Sequence, residues 1–182
     1  MRSKQAMKNL TANLILQVVI SISGILLPRF FIRAYGSTIN GMVSSVSQFI
    51  TYMALVEAGI GAASIVGLYK PLADKDNKQI NAIMSATNKF YNRSGTIYLG
   101  LIAILLIIYP FFIKGQVDLF TTCFMILILA SSNLIDYFFL GKYRVLLTAD
   151  QRSYVISGAQ IIGTIVNIVA TLLLIYMRAP VL

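Results

Sequence analysis

The chain has no histidine, no tryptophan and a single cysteine, Cys123. Without histidine, a Ser-His-Asp triad, imidazole acid–base chemistry and His-containing zinc sites are excluded. One cysteine in mid-span builds neither a disulfide nor a thiolate metal site. Only six residues are acidic against fifteen basic, and by spacing none of the six forms a close pair at membrane depth. These absences point away from an enzyme, and no catalytic residue, cofactor or metal is expected.

The composition is 58% hydrophobic with a mean hydropathy of +0.80, outside the soluble globular range. The apolar residues gather in five runs, at about 10–31, 41–68, 96–113, 119–140 and 154–177. A bilayer core about 30 Å thick needs about 20 apolar residues of helix. A helix in lipid satisfies its own backbone hydrogen bonds, so the expected fold is an all-α polytopic membrane protein with five transmembrane helices. The odd count, and a last span close to the C-terminus, suggest part of something larger. The first run resembles a signal peptide, but it is too long, contains Asn13 and Gln17, and lacks a small-x-small cleavage site; an uncleaved span is expected.

The net charge of +9 does not point to nucleic acid, because its placement has another cause. Arg2, Lys4 and Lys8 precede the first run. Lys70, Lys75, Lys78, Lys89 and Arg93 follow the second. Lys142, Arg144 and Arg152 follow the fourth. The alternate connections hold Arg29, Arg33, Lys114 and Arg178, a split of eleven against four. This positive-inside pattern expects a cytoplasmic N-terminus and an external C-terminus. Tyr35, Tyr69, Tyr91, Tyr109, Tyr143, Tyr154 and Tyr176 fall near span ends, as an aromatic belt would. Asn9-Leu10-Thr11 and Asn92-Arg93-Ser94 match the glycosylation pattern on the predicted cytoplasmic side and are taken as chance.

Two runs carry polar stripes. Ser153, Ser157, Gln160, Thr164, Asn167 and Thr171 fall within an arc of about 80° on the fifth. Asn13, Gln17, Ser21, Gly24 and Pro28 do the same on the first, where Pro28 predicts a kink. Ser44, Gln48 and Thr51 share a face of the second. Such stripes either line a wet cavity or act as interhelical hydrogen-bonding glue. The third run is almost wholly apolar and is expected to pack peripherally.

Three charged positions add to the candidate list. Glu57 lies inside the second run, as a proton or cation site or gate, or as a buried structural partner. Arg29 and Arg33 are i,i+4 neighbours that would clamp an anion or snorkel to the outer interface. Asp136 is expected to be interfacial. Between the second and third runs, the loop at 69–93 carries Ile80, Ile83, Met84, Thr87 and Phe90 on one helical face, which predicts an amphipathic helix on the cytoplasmic surface after a break at Pro71.

Several ordered motifs then stand out: Tyr35-Gly36-Ser37-Thr38-Ile39-Asn40-Gly41, Ser44-Ser45-Val46-Ser47-Gln48-Phe49, Glu57-Ala58-Gly59-Ile60-Gly61 and Leu68-Tyr69-Lys70-Pro71-Leu72-Ala73. With Asn77–Tyr91 and the Tyr143–Gln151 stretch, this order resembles the N-terminal part of bacterial polysaccharide-repeat-unit (O-antigen, Wzx-type) flippases. These belong to the multidrug/oligosaccharidyl-lipid/polysaccharide exporter superfamily. The resemblance spans the chain but only part of such exporters' length. It implies part of a six-helix N-terminal lobe within a protein of twelve or more helices. It also implies movement of an undecaprenyl-pyrophosphate-linked oligosaccharide across the cytoplasmic membrane for capsule or O-antigen synthesis. Asn13, Gln17, Gln48, Gln160, Thr164 and Asn167 would line the headgroup route, Arg29 and Arg33 would hold an anionic group, and Glu57 matches the family's acidic residue before Gly. Implied partners are membrane lipids, the lipid-linked oligosaccharide, the missing C-terminal half, and a polysaccharide polymerase and glycosyltransferases. Rival readings are a drug or toxin exporter of the same superfamily, which the basic residues near the outer side disfavour, and a non-transporting truncated membrane interaction protein.

Overall fold

A computed structural model describes residues 2–55, 59–113 and 117–177. Among them the chain is all-helical, without strands: α1 (Arg2–Ala54), α2 (Ile60–Asp74), α3 (Asn77–Phe112), α4 (Leu119–Ile135), a π-helical segment (Asp136–Leu140), α5 (Gly141–Ala149) and α6 (Ser153–Tyr176). Among the described residues four stretches are long and apolar enough to cross a membrane: Lys4–Ala54, Asn77–Phe112, Leu119–Ala149 and Ser153–Tyr176. The expected second span, 41–68, does not appear as one helix. Its first part is the end of α1 and its last part lies in α2.

Local chemistry sets the breaks. The backbone stays helical through Pro28 and departs at Gly36, with φ 87° and ψ 166°. Glycine alone takes that φ without a Cβ penalty, so the helical backbone is interrupted at Gly36. Pro71 likewise sits inside α2 and not at a break. That helix ends at Lys75, whose left-handed φ of 54° turns the following Asp76 N–H onto the Pro71 carbonyl at 2.9 Å. Asp76 then caps α3 by accepting from the Lys78 and Gln79 amides at 3.0 and 3.1 Å. The segment 69–93 is therefore helix apart from Lys75 and Asp76, and α3 runs unbroken from the expected amphipathic stretch into the expected third span. Asp118 caps α4 in the same way, accepting from the Phe120 amide.

The chain forms two compact units, Met42–Asp150 and Met1–Gly41 with Gln151–Leu182. In the first, α3 is the central helix. Residues 42–54 and α2 run antiparallel to it. The Tyr109 hydroxyl reaches the Met42 carbonyl at 3.4 Å at one end. Toward the other end, the Thr87 hydroxyl meets that of Ser64 at 3.0 Å. The α4–π–α5 arm is antiparallel to α3 as well, with the Tyr98 hydroxyl on the Ala130 carbonyl and the Tyr137 hydroxyl on the Ala54 carbonyl.

The apolar third span is thus central, not peripheral. Of its most apolar window 28% is buried, against 6% for Lys4–Ala54 and none for α6. In lipid, apolar surface gives helices little reason to associate. Here buried tyrosine hydroxyls and close backbone approach supply it. Tyr91 and Tyr109, expected in an interfacial belt, are 4% and 6% exposed. A Cβ at Gly95 would come within 3.0 Å of Tyr137 and Phe138, and one at Gly141 would enter the Tyr91 ring. Part of the amphipathic face expected to lie on the membrane surface, at Ile83 and Thr87, packs instead on α2, while Phe90 is half exposed. Ile83 faces Gly67 and Thr87 is 1% exposed.

Candidate functional site

The other unit pairs the two polar-striped helices. Asn9 is the pivot. Its side-chain oxygen accepts from the Tyr154 amide at 2.8 Å, and its nitrogen donates to the Gln151 carbonyl at 2.9 Å. The amide thereby caps α6 from a distant helix and fixes the turn where Gln151 takes φ 59°. Lys8 Nζ stands 5.7 Å from the centre of the Tyr154 ring. One turn on, Ser157 Oγ donates to Asn13 Oδ1 at 2.6 Å. Because residues 9 and 13 meet 154 and 157 in that order, the two helices run parallel.

Side-chain exposure defines the seam. On α1 the less exposed line is Asn9, Ala12, Leu16, Val19, Ser23 and Leu27. On α6 it is Ser157, Ile161, Thr164, Ile168 and Ile175. Helical geometry puts Gln17 about 115° from the centre of the α1 seam, with Ser21 farther round at about 155°, and Gln160 and Asn167 about 70–90° from the α6 seam in the opposite sense. In a parallel pair, opposite senses bring Gln17 to the same side as Gln160 and Asn167. The Asn13–Ser157 bond forms the rim of a polar edge continued by exposed Gln17, Gln160 and Asn167, while exposed Ser21 turns toward the far side of α1. The edge offers neutral amides and hydroxyls, with no charged side chain along it between Asn13 and Gln17 or between Ser157 and Asn167. Thr164 sits half-buried, and its hydroxyl is taken by the Gln160 carbonyl at 2.8 Å.

Not every expected residue joins this edge. Arg29 and Arg33 are exposed on α1 but lie about 100° and 140° around the helix from the Gln17–Ser21 line. Gln48 is exposed in the other unit, with Ser44 and Thr51, on the face of residues 37–54 opposite buried Met42, Val46 and Ile50. Glu57 lies outside the described residues.

Two features escaped the sequence reading. The first is Asn9, whose only signal was a glycosylation pattern. The second is an ion pair between Arg144 Nη1 and Asp136 Oδ2 at 2.9 Å, spanning the π-helical segment. Asp136 Oδ1 is buried with no hydrogen-bond partner among the described residues. Nothing in the sequence marks a π-turn. Beside α3, a groove of about 520 Å³ is lined by Phe49, Met53, Ile104, Ile108, Tyr109 and Phe112 among others. It holds no charged group and suits hydrocarbon better than a headgroup.

Comparison with protein-family models, with curated proteins and with solved structures returned no match for this chain.

Proposed function

We propose that this chain is the N-terminal part of a flippase for lipid-linked oligosaccharides, crossing the cytoplasmic membrane five times with its N-terminus inside. The observation that carries the reading is the uncharged amide and hydroxyl edge of the parallel α1–α6 pair. Such an edge exchanges hydrogen bonds with a hydroxyl-rich headgroup while the apolar remainder of both helices stays in lipid. The family resemblance supplies the substrate class.

The parallel pairing also supports five crossings. Asn9 and Tyr154 touch, so the chain returns to one membrane face between them, which takes an even number of passes. The first leg of α1, α3 and the α4–π–α5 arm supply three. Residues 42–55 and 59–67, which lie alongside α3 between Tyr109 and Ile83, belong to the natural fourth. With α6 the total is five.

Single cysteines at Gln160 and Asn167 test the edge in membranes. They are expected to react with a polar thiol reagent several-fold faster than cysteines at Ile162 and Val166. Equal, slow reaction at all four would return the stripes to packing glue. For the activity, the full-length parent is expected to restore surface polysaccharide in a strain lacking its flippase, and loss of that rescue with Gln17→Ala/Gln160→Ala ties it to the edge.

A further inference from the structure

The outward side of α3 changes chemistry along one line. Lys78, Lys89, Arg93, Ile104, Ile107 and Phe111 fall within an arc of about 80°, opposite the buried Thr87–Tyr91–Tyr98–Tyr109 line. The line is basic up to Arg93. Beyond it Ile104, Ile107 and Phe111 are 52%, 67% and 65% exposed. From Thr96 to Phe112 the helix rises about 24 Å, close to a hydrocarbon core. The headgroup layer therefore falls near Lys89–Arg93, and the α2–α3 hairpin stands about 25 Å beyond it.

A second element supplies charge at the same height. Gly141 abuts the Tyr91 ring, which levels Lys142 and Tyr143 with residues 89–93. Lys142 Nζ lies 5.0 Å from the Tyr143 ring centre, and Phe90 and Tyr143 are both about half exposed. Arg144 is engaged by Asp136. Lys89, Arg93 and Lys142 form no ion pair with another described residue.

We infer that Lys89, Arg93 and Lys142, flanked by Phe90 and Tyr143, form a collar that binds the headgroups of anionic phospholipids. The basic groups meet the phosphates, and the rings sit at the boundary that amphipathic aromatics prefer. Charge at the hairpin tip, on Lys75 and Lys78, is more than two Debye lengths away and contributes little. The collar rests on the membrane character of the helices and is independent of the transported substrate.

The test uses the full chain in phosphatidylcholine nanodiscs titrated with phosphatidylglycerol, with bound lipid counted by native mass spectrometry. Three surface charges, each contributing about fivefold, predict that Lys89→Gln/Arg93→Gln/Lys142→Gln weakens phosphatidylglycerol binding by at least about tenfold. Lys75→Gln/Lys78→Gln is expected to stay within about twofold, and the charge-keeping Lys89→Arg/Lys142→Arg to bind as wild type. Should the triple variant misfold by circular dichroism, Lys142→Gln alone is read, with an expected loss of several-fold. Undiminished binding by the triple variant overturns the proposal and leaves the collar to a soluble acidic partner. An equal loss in the tip variant also overturns it, in favour of unspecific charge attraction.

Discussion

At the residue scale, single small or polar side chains carry much of the architecture. Asn9 satisfies one donor and one acceptor at the start of α6. Asn9→Ala leaves both without their partner and is expected to destabilise the parallel pair by about 1–2 kcal/mol, in the range of a lost helix cap. The readout is the midpoint of thermal unfolding in detergent, with Asn92→Ala, an exposed asparagine on α3, as an unaffected control. Gly141 has no room for a methyl group against Tyr91. Gly141→Ala is expected to cost about 1–3 kcal/mol as an overpacking change, and the compensating Tyr91→Phe should not rescue it, because the ring rather than the hydroxyl obstructs. Arg144→Met leaves the half-buried Asp136 carboxylate unpaired and is expected to cost about 1–3 kcal/mol. Asp136→Asn should recover part of that loss in the double variant, measured as a coupling energy.

At the element scale, the sequence was most informative where chemistry is local. The apolar runs at 10–31 and 119–140 fall inside α1 and the α4–π arm, and that at 154–177 matches α6 to within one residue. The stripes on the first and fifth runs marked two polar faces, but not that their helices would pair or that Asn13 and Ser157 would bond across the pair. The extent of α3 was less legible, because the change from polar to apolar at Arg93 looks like a loop joining a span when helix propensity continues through both. Pro28 announces itself in sequence, whereas the non-helical backbone at Gly36 does not, because its positive φ depends on its surroundings. Tyr91 and Tyr109 read as belt residues because position near a span end does not say which way a ring points. Arg29 and Arg33 shared a helix with the polar stripe, but angle as well as length decides whether they share its edge. The crossing count is checked by reporter fusions. A fusion after Lys75 and one after Lys142 are expected to read cytoplasmic. An external reading after Lys75 would require residues 42–67 to re-enter without crossing.

At the scale of the whole molecule, two units divide the work the sequence suggested for one bundle. One is stitched by tyrosine hydroxyls around an apolar helix, and the other is a two-helix pair whose polar edge is open. If the edge carries a headgroup, replacing Gln17 and Gln160 should lower export while leaving the fold of residues 42–150 intact, seen as unchanged protection of the α3 amides in hydrogen exchange. The unbroken helicity from Asn77 to Phe112 has a mechanical consequence. A rod that is stiff over its length behaves as a lever whose fulcrum is the membrane. With about 25 Å of arm outside the bilayer, a 10° change in tilt would sweep the Lys75–Asp76 hairpin through about 4 Å. A spin label at that tip would turn rearrangements deep in the hydrocarbon, where probes are hardest to place, into displacements measurable from water.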